Sequence, residues 1–293
     1  MNAQPASALQ SQQVLRRVAK IDSKSSRNYP GLLASLGFVA LACVLSPAWA
    51  QNVSVSLGTA GNFGVLAGSA VTNTGPTAVT GNVGVWPGSS IIGFPPGSIV
   101  PGSGSLHSAD AVAQQAQSDL TAAYTDTANR VCGTTIAGGL LGGLVLTPGV
   151  YCMGAGNLTG TLTLTGAGEY IFQMASSLTT APGSSVVLLN GASACGGVWW
   201  QVTSSAIIDT TTTMAGNILA LTSVTLNTGA SLNGRALARN GLVSLDNNNV
   251  PACGGSAAPN LGVGAPTLSA WMLVMLATLL AIVGFAAMRR TAK

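Results

Sequence analysis

Charge is what this sequence lacks most. Only 6% of its 293 residues are charged, aromatic residues make up 5%, and there is a single His. The scarcity is uneven. Residues 1–50 carry five of the 11 Lys and Arg, and residues 265–293 carry three more. Between them, residues 51–264 hold Arg130, Arg235 and Arg239 against Asp110, Asp119, Asp126, Glu169, Asp209 and Asp246, a net of −3. The whole-chain charge of +4 therefore belongs to the ends. No basic patch is left for phosphates, which excludes a nucleic-acid partner. One His and six dispersed carboxylates leave acid–base catalysis, zinc and calcium binding short of ligands. Neither an enzyme nor a cofactor is expected.

The middle is rich instead in Gly (35 of the 38), Thr, Ser, Asn, Ala and Val. Such a composition suggests low-complexity disorder, but Val, Leu and Ile recur between the Gly/Thr clusters often enough to build a core. Leu158–Thr165 alternates apolar residues with Thr, and Ser185–Leu189, Val198–Val202, Ile218–Leu226 and Arg235–Leu245 also read as strands. Asn190-Gly191 and Asn240-Gly241 are hairpin dipeptides, so a sandwich has to be considered. A recurring Thr-x-x-Thr-like motif argues for a solenoid. It appears as Thr59 to Asn62, Thr74 to Thr77, Thr180 to Gly183 with Ser184 beside it, Thr210 to Thr213, and Thr228 to Ser231. The last two start 18 residues apart and Thr59 and Thr74 start 15 apart, periods that suit coils stacked on their neighbours. One segment differs. Residues 108–129 place Val112, Ala113, Ala116, Leu120 and Ala123 at helical spacing, with Ser108 as a candidate N-cap and Asp110 in the first turn. A helix of that length spans about 30 Å, the height of about six coils. Trp199 and Trp200 point to opposite sides of a strand, so at least one belongs to the core and the other is a candidate for stacking on a sugar.

The ends read as targeting segments. Residues 16–27 are basic, Gly31–Ser46 is an apolar run of signal-peptide length, and Ala48-Trp49-Ala50 offers a cleavage site, making 1–50 a signal peptide with a long n-region. An N-terminal membrane anchor is the competing reading. Residues 271–288 carry no charge, are just long enough to span a bilayer, and are followed by Arg289, Arg290 and Lys293. The preceding Ala265-Pro266-Thr267-Leu268-Ser269-Ala270-Trp271 resembles the IPTL-CTERM sorting signal, departing at Ala265 and Ala270. That resemblance implies export, a membrane tether through 271–288 and a sorting protease of the exosortase type as partner. Four cysteines remain after the signal peptide, an even set suited to an oxidising compartment. Three pairings are open to them. Proximity favours Cys132–Cys152, which leaves Cys195–Cys253; free thiols in the core are the alternative.

Taken together, LGTAGNFGVLAGSAVTNTGPTAVTGNVGVWPGS (57–89), GFPPGS (93–98), HSADAVAQQAQSDLTAAY (107–124), GGLVLTPGVY (142–151), residues 158–192 and residues 217–246 resemble the bacterial and fungal ice-binding protein family, DUF3494. The resemblance covers roughly residues 57–250. It implies a mainly β fold for the 51–264 domain: an irregular, discontinuous right-handed parallel β-helix of triangular cross-section with one long α-helix packed alongside. It also implies adsorption to an ice crystal surface through one flat face. The family's T-A/G-x-T/N pattern, carried over, nominates Thr59, Asn62, Thr74, Thr77, Thr180, Ser184, Thr210, Thr213, Thr228 and Ser231. Thr suits such a face because its β-branch restricts χ1 while its methyl and hydroxyl hold water in few arrangements. Thr at i and i+3 cannot share one side of a straight strand, so each motif has to bend. The exposed Thr161/Thr163 side is the second candidate. A cell-surface adhesin on the same solenoid is the competing function, and a β-helix carbohydrate lyase or hydrolase is disfavoured because Glu169, Asp209 and Asp246 are isolated.

Overall fold

The computed structural model describes residues 54–251. The signal-peptide reading (1–50), the sorting signal with its span at 271–288, and Cys253 fall outside the described residues. Among the described residues no helix is long and apolar enough to cross a membrane.

A 3-10 turn (Gly58–Asn62) leads into seven strands: β1 (Phe63–Ala67), β2 (Ala70–Asn73), β3 (Ala78–Val79), β4 (Asn82–Val85), β5 (Ser90–Ile92), β6 (Ser98–Ile99) and β7 (Leu106–Ser108). Helix α1 (Ala111–Asn129) follows. The chain then winds through β8 (Thr134–Thr135), β9 (Val145–Leu146), β10 (Gly149–Met153), β11 (Gly156–Leu158), β12 (Thr161–Thr165), β13 (Tyr170–Met174), β14 (Leu178–Thr180) and β15 (Ser185–Leu189). After a helical turn, α2 (Ala194–Gly197), come β16 (Val198–Val202), β17 (Ala206–Ile208), β18 (Thr213–Ala220), β19 (Val224–Leu226), β20 (Ser231–Ala238), β21 (Val243–Leu245) and β22 (Asn249–Val250).

Three faces wrap one core, and every strand pairing named among the described residues is parallel. The helix-covered face runs β8-β10-β13-β16-β18-β20-β1-β4-β7. The seven-stranded face runs β11-β14-β17-β19-β21-β2-β5. The third face runs β9-β12-β15-β18-β20-β22-β3-β6. The right-handed sense is the one that parallel crossovers adopt. The winding is discontinuous: β1 lies between β20 and β4, so the first coil sits inside the stack and α1 carries the chain back to the far end. The Asn-Gly pairs make no hairpins. Asn240-Gly241 turns a corner between β20 and β21, and Asn190-Gly191 follows β15.

Several expected strands break at corners. Leu158–Thr165 divides into β11 and β12 at Gly160, whose φ of +84° lies where Gly is favoured. Ile218–Leu226 and Arg235–Leu245 each cross from one face to the next. Conversely, β18 and β20 run unbroken from the third face onto the helix-covered face. They bend at Gly216 and Gly234, which pair in register, and a Cβ on Gly234 would stand 1.9 Å from the Gly216 carbonyl oxygen.

The interior is stacked rung by rung. Tyr151, Phe172 and Trp200 are register partners, with ring centroids 5.4 and 4.2 Å apart, and Trp200 Nε1 donates to the Ala215 carbonyl at 2.9 Å. A second apolar layer joins α1 to the solenoid through Ala116, Leu120, Ala123 and Tyr124 against Leu66, Leu219, Leu237 and Trp199. Both tryptophans are therefore buried, Trp200 in the interior and Trp199 in the layer that includes α1, which removes the sugar-stacking reading.

The N-cap of α1 is Asp110, not Ser108. Asp110 Oδ1 accepts from the Ala113 amide at 2.8 Å, while Ser108 ends β7 and donates to the Ser89 carbonyl. His107 Nδ1 lies 2.7 Å from Asp110 Oδ2. The other helix end has no glycine stop. Gln173 of β13 reaches it instead, donating to the Thr127 carbonyl at 2.7 Å and the Arg130 carbonyl at 2.8 Å. The Cys132–Cys152 disulfide, with Cα atoms 5.9 Å apart, ties the chain just beyond the helix to β10. Cys195 is also disulfide-bonded.

Candidate functional site

Each strand of the seven-stranded face carries an outward side chain at the same register position, and strict register turns these side chains into a row. Leu140, Asn157, Thr179, Ile207, Thr225, Ser244, Thr72 and Ile92 succeed one another across it. At about 4.8 Å per rung the row is roughly 34 Å long. Its members are uncharged, short and partly or fully exposed. A second row runs beside it, in which Ser177, Ser205 and Ser223 occupy successive rungs, as their backbone bonds to Gly156, Leu178 and Ala206 show. Alternate residues along a strand are about 6.6 Å apart. The face is thus a two-dimensional grid of hydroxyls, methyls and one amide on a rigid backbone.

Carboxylates stand only at the rim. Asp209 accepts from Asn227 Nδ2 at 3.0 Å and from the Thr210 amide at 2.7 Å, and these two bonds, Asn227 first, hold its pKa below the usual carboxylate value. Asp246 accepts from the Thr228 hydroxyl at 2.5 Å. Among the described residues no three His, Cys, Asp or Glu side chains cluster where a metal ion would be held.

The ten residues expected from the Thr-x-x-Thr pattern do not form one plane. Thr59 and Asn62 lie in the 3-10 turn, and the Thr59 hydroxyl donates to Asp119 on α1 at 2.6 Å. Thr77, Thr180 and Ser184 are buried and bond internally: Thr77 to Asn73, Thr180 to Thr212, and Ser184 to the Leu158 carbonyl. Thr74, Thr210 and Thr228 stand in the turns that leave the seven-stranded face, while Thr213 and Ser231 begin β18 and β20 on the third face. The physical reason is the spacing. Position i closes one face and position i+3 opens the next, so the motif marks a corner. Residues of the observed row, such as Asn157, Thr179, Thr225 and Thr72, escape that pattern. Their sequence signal is at most an apolar-polar-apolar triplet, as in Val224-Thr225-Leu226 or Val243-Ser244-Leu245, and the triplet does not say which coil neighbours which.

The third face carries its own row. Thr161, Ser185, Thr213, Ser231, Asn249, Ala78 and Ser98 are register partners in turn. The helix-covered face is occupied by α1 and by residues 54–62, and a cleft of about 500 Å³ there is lined by Asp119, Trp199 and Arg235 among others. Arg235 is buried without a carboxylate partner. Its guanidinium donates to the Gly61 carbonyl and to Asn217 Oδ1, and burial pulls its pKa down.

Comparison with known proteins agrees with this architecture. The ice-binding-like family profile matches residues 65–251. An ice-binding protein of Nostoc sp. (strain HG1) is 43% identical over 233 residues, covering 78% of this chain and 83% of that protein. The crystal structure of an ice-binding protein from an Antarctic biological consortium is similar at 48% identity with a TM-score of 0.64, covering 68% of this chain and 90% of that one. That of the Antarctic ascomycete Antarctomyces psychrotrophicus is similar at 38% identity with a TM-score of 0.65, covering 70% and 100%. None of these relatives lends support to the adhesin alternative.

Proposed function

The chain belongs to the ice-binding-like family, and from that premise we propose that it adsorbs to ice through the seven-stranded face and so limits ice growth or recrystallisation. The observation that carries this assignment is the uncharged, in-register row from Leu140 to Ile92 with the serine row beside it. A charged surface holds water around each ion in its own orientation. A grid of hydroxyls and methyls imposes a repeat, and the layer of water it orders can merge with a crystal that shares the repeat. The rigidity comes from the stacked interior and from β-branched Thr and Ile on the row. Adsorption is a binding function and asks no catalytic group of the protein.

The setting is outside the cytoplasm. The apolar run at 31–46 with Ala48-Trp49-Ala50, and the disulfide-bonded cysteines, support export. The 271–288 segment and its basic tail would then tether the domain until a sorting protease acts. Partition of the purified 51–264 domain into a slowly growing ice hemisphere tests the function. Exclusion from the ice, as for an ordinary globular protein, would overturn it.

A further inference from the structure

Three faces meet at three edges, and two of those edges border the seven-stranded face. The remaining edge, between the third face and the helix-covered face, lies across the solenoid from it. Both ends of the described chain come to that far edge. At the N-terminal end the Val55 amide donates to Glu169 Oε1 at 2.8 Å, and Glu169 stands between β12 on the third face and β13 on the helix-covered face. The Gly61 carbonyl accepts from Arg235, the residue of β20 that follows its bend at Gly234. Residues 54–62 therefore follow this edge from the rung of β13 to the rung of β20, and then enter β1.

The C-terminal end is brought to the same edge by the discontinuous winding. β18 and β20 each run from the third face round this edge onto the helix-covered face. β22 starts in the same way, beside β20 through the pair Asn249 and Ser231. It cannot follow, because β1 already fills the place beside β20 on the helix-covered face, through Val65 with Ala236 and Leu66 with Leu237. The strand stops at Val250, and the described chain leaves the stack at Pro251, where β20 reaches its bend. Cys195, which is disulfide-bonded, stands on this edge in the α2 turn between β15 and β16. The Cys195–Cys253 pairing expected from the sequence would clasp the exit to it.

Resting on the reading that the domain adsorbs to ice through the seven-stranded face and is tethered through its C-terminal segment, we infer that the fold presents its ice-adsorbing row away from the anchoring membrane, so that the protein binds ice while still tethered. A tether leaving from either edge that borders the row would bring the lipid surface alongside it. A tether leaving from the far edge puts the whole thickness of the solenoid between the row and the bilayer. The helix-covered face and the third face then turn toward the membrane, and adsorption does not wait for release by a protease.

The test uses the mature full chain, residues 51–293, inserted through 271–288 into phosphatidylcholine vesicles that carry an energy-transfer acceptor on their headgroups. A donor dye is placed on an introduced cysteine of one coil, either Thr179→Cys on the row or Ala167→Cys on the far edge, both exposed positions. Circular dichroism with melting temperature checks folding. Transfer is expected to be stronger from the Ala167→Cys protein than from the Thr179→Cys protein. Vesicles carrying the unlabelled chain should be captured by a growing ice front, and Thr225→Tyr should abolish the capture. Equal transfer, or stronger transfer from Thr179→Cys, means that the row is not turned away, and the inference fails while the proposed function stands. It fails equally if the chain does not insert, if the vesicles are excluded from ice that takes up the free domain, or if capture survives Thr225→Tyr. A free domain that ice excludes overturns the function itself.

Discussion

A bulky side chain raised on a rigid face makes a quantitative expectation. The row on the seven-stranded face has eight positions, and Thr225 is the fifth. Thr225→Tyr places a ring there that stands well above its neighbours. The backbone stays extended, because Tyr is a good strand residue, and the side chain points away from the core, so the fold should survive. A stiff plate resting on a bump can only tilt. From the fifth position it keeps at best the four rungs on one side, half of the row. Asn157→Tyr raises the same ring at the second position, and tilting then leaves six rungs, three-quarters of the row. If adsorption free energy scales with the area in contact, the central variant loses about twice as much of it as the peripheral one. Ice recrystallisation inhibition over a dilution series reads the difference. The reasoning is refuted if Asn157→Tyr is as damaging as Thr225→Tyr, or if neither changes the end-point concentration while both remain folded.

Other perturbations test the scaffold. Trp200→Ala removes the middle of the interior stack and leaves the Ala215 carbonyl without its donor. A loss of about 3–5 kcal/mol by urea denaturation is expected, and a loss under about 1 kcal/mol would mean that the stack is not a main element of the core. Gln173→Met keeps the length of the side chain but withdraws the amide that bonds the Thr127 and Arg130 carbonyls. A cost of about 1 kcal/mol should appear as faster hydrogen exchange confined to the last turn of α1; uniform exchange across the helix would assign the stabilisation elsewhere. Asp110 and Asp119 have folded pKa values below their ordinary 3.8. For Asp110 the Ala113 amide is the main cause, followed by His107; for Asp119 burial works upward but is outweighed by the Thr59 hydroxyl and amide and by Gln115. The stability these carboxylates contribute is fully present above 3.8 and is lost as pH falls through the lower folded values. Asp119→Asn should therefore flatten the melting-temperature profile below pH 4, and an unchanged acid limb would contradict the linkage.

Sequence and structure agree where the signal is local. The helix was legible because Val112, Ala113, Ala116, Leu120 and Ala123 repeat at its period, and the solenoid because the Thr-x-x-Thr-like motif returns at coil spacing. The helix start was not: Ser108 and Asp110 are both good caps, and the choice was made by the Ser89 carbonyl, which lies on another coil and engages Ser108. The ten residues of the Thr-x-x-Thr pattern fall outside one plane for a similar reason. A short sequence pattern repeats most visibly at turns, where Gly, Asn and Thr are required by backbone geometry. The uncharged grid of the seven-stranded face is made by register between coils, and register joins Thr72 to Ser244 across the whole length of the domain. No local spacing encodes such a partnership.

The place where β1 meets β20 also governs how the molecule comes into being. On one side Val65 pairs with Ala236 and Thr72 with Ser244, partners that come near the end of the domain. Until the last coil has been made, the chain holds two short stacks with bare parallel edges, the kind of edge that recruits other chains. Pairings so distant in sequence are closed late and slowly. The grid of the seven-stranded face is not whole before that closure, since the rungs from Thr72 to Ile92 belong to the first stack and those from Asn157 to Ser244 to the second. The ability to touch ice is thus acquired in a single late step, and the rate at which it appears in a refolding experiment would time the joining of the two stacks.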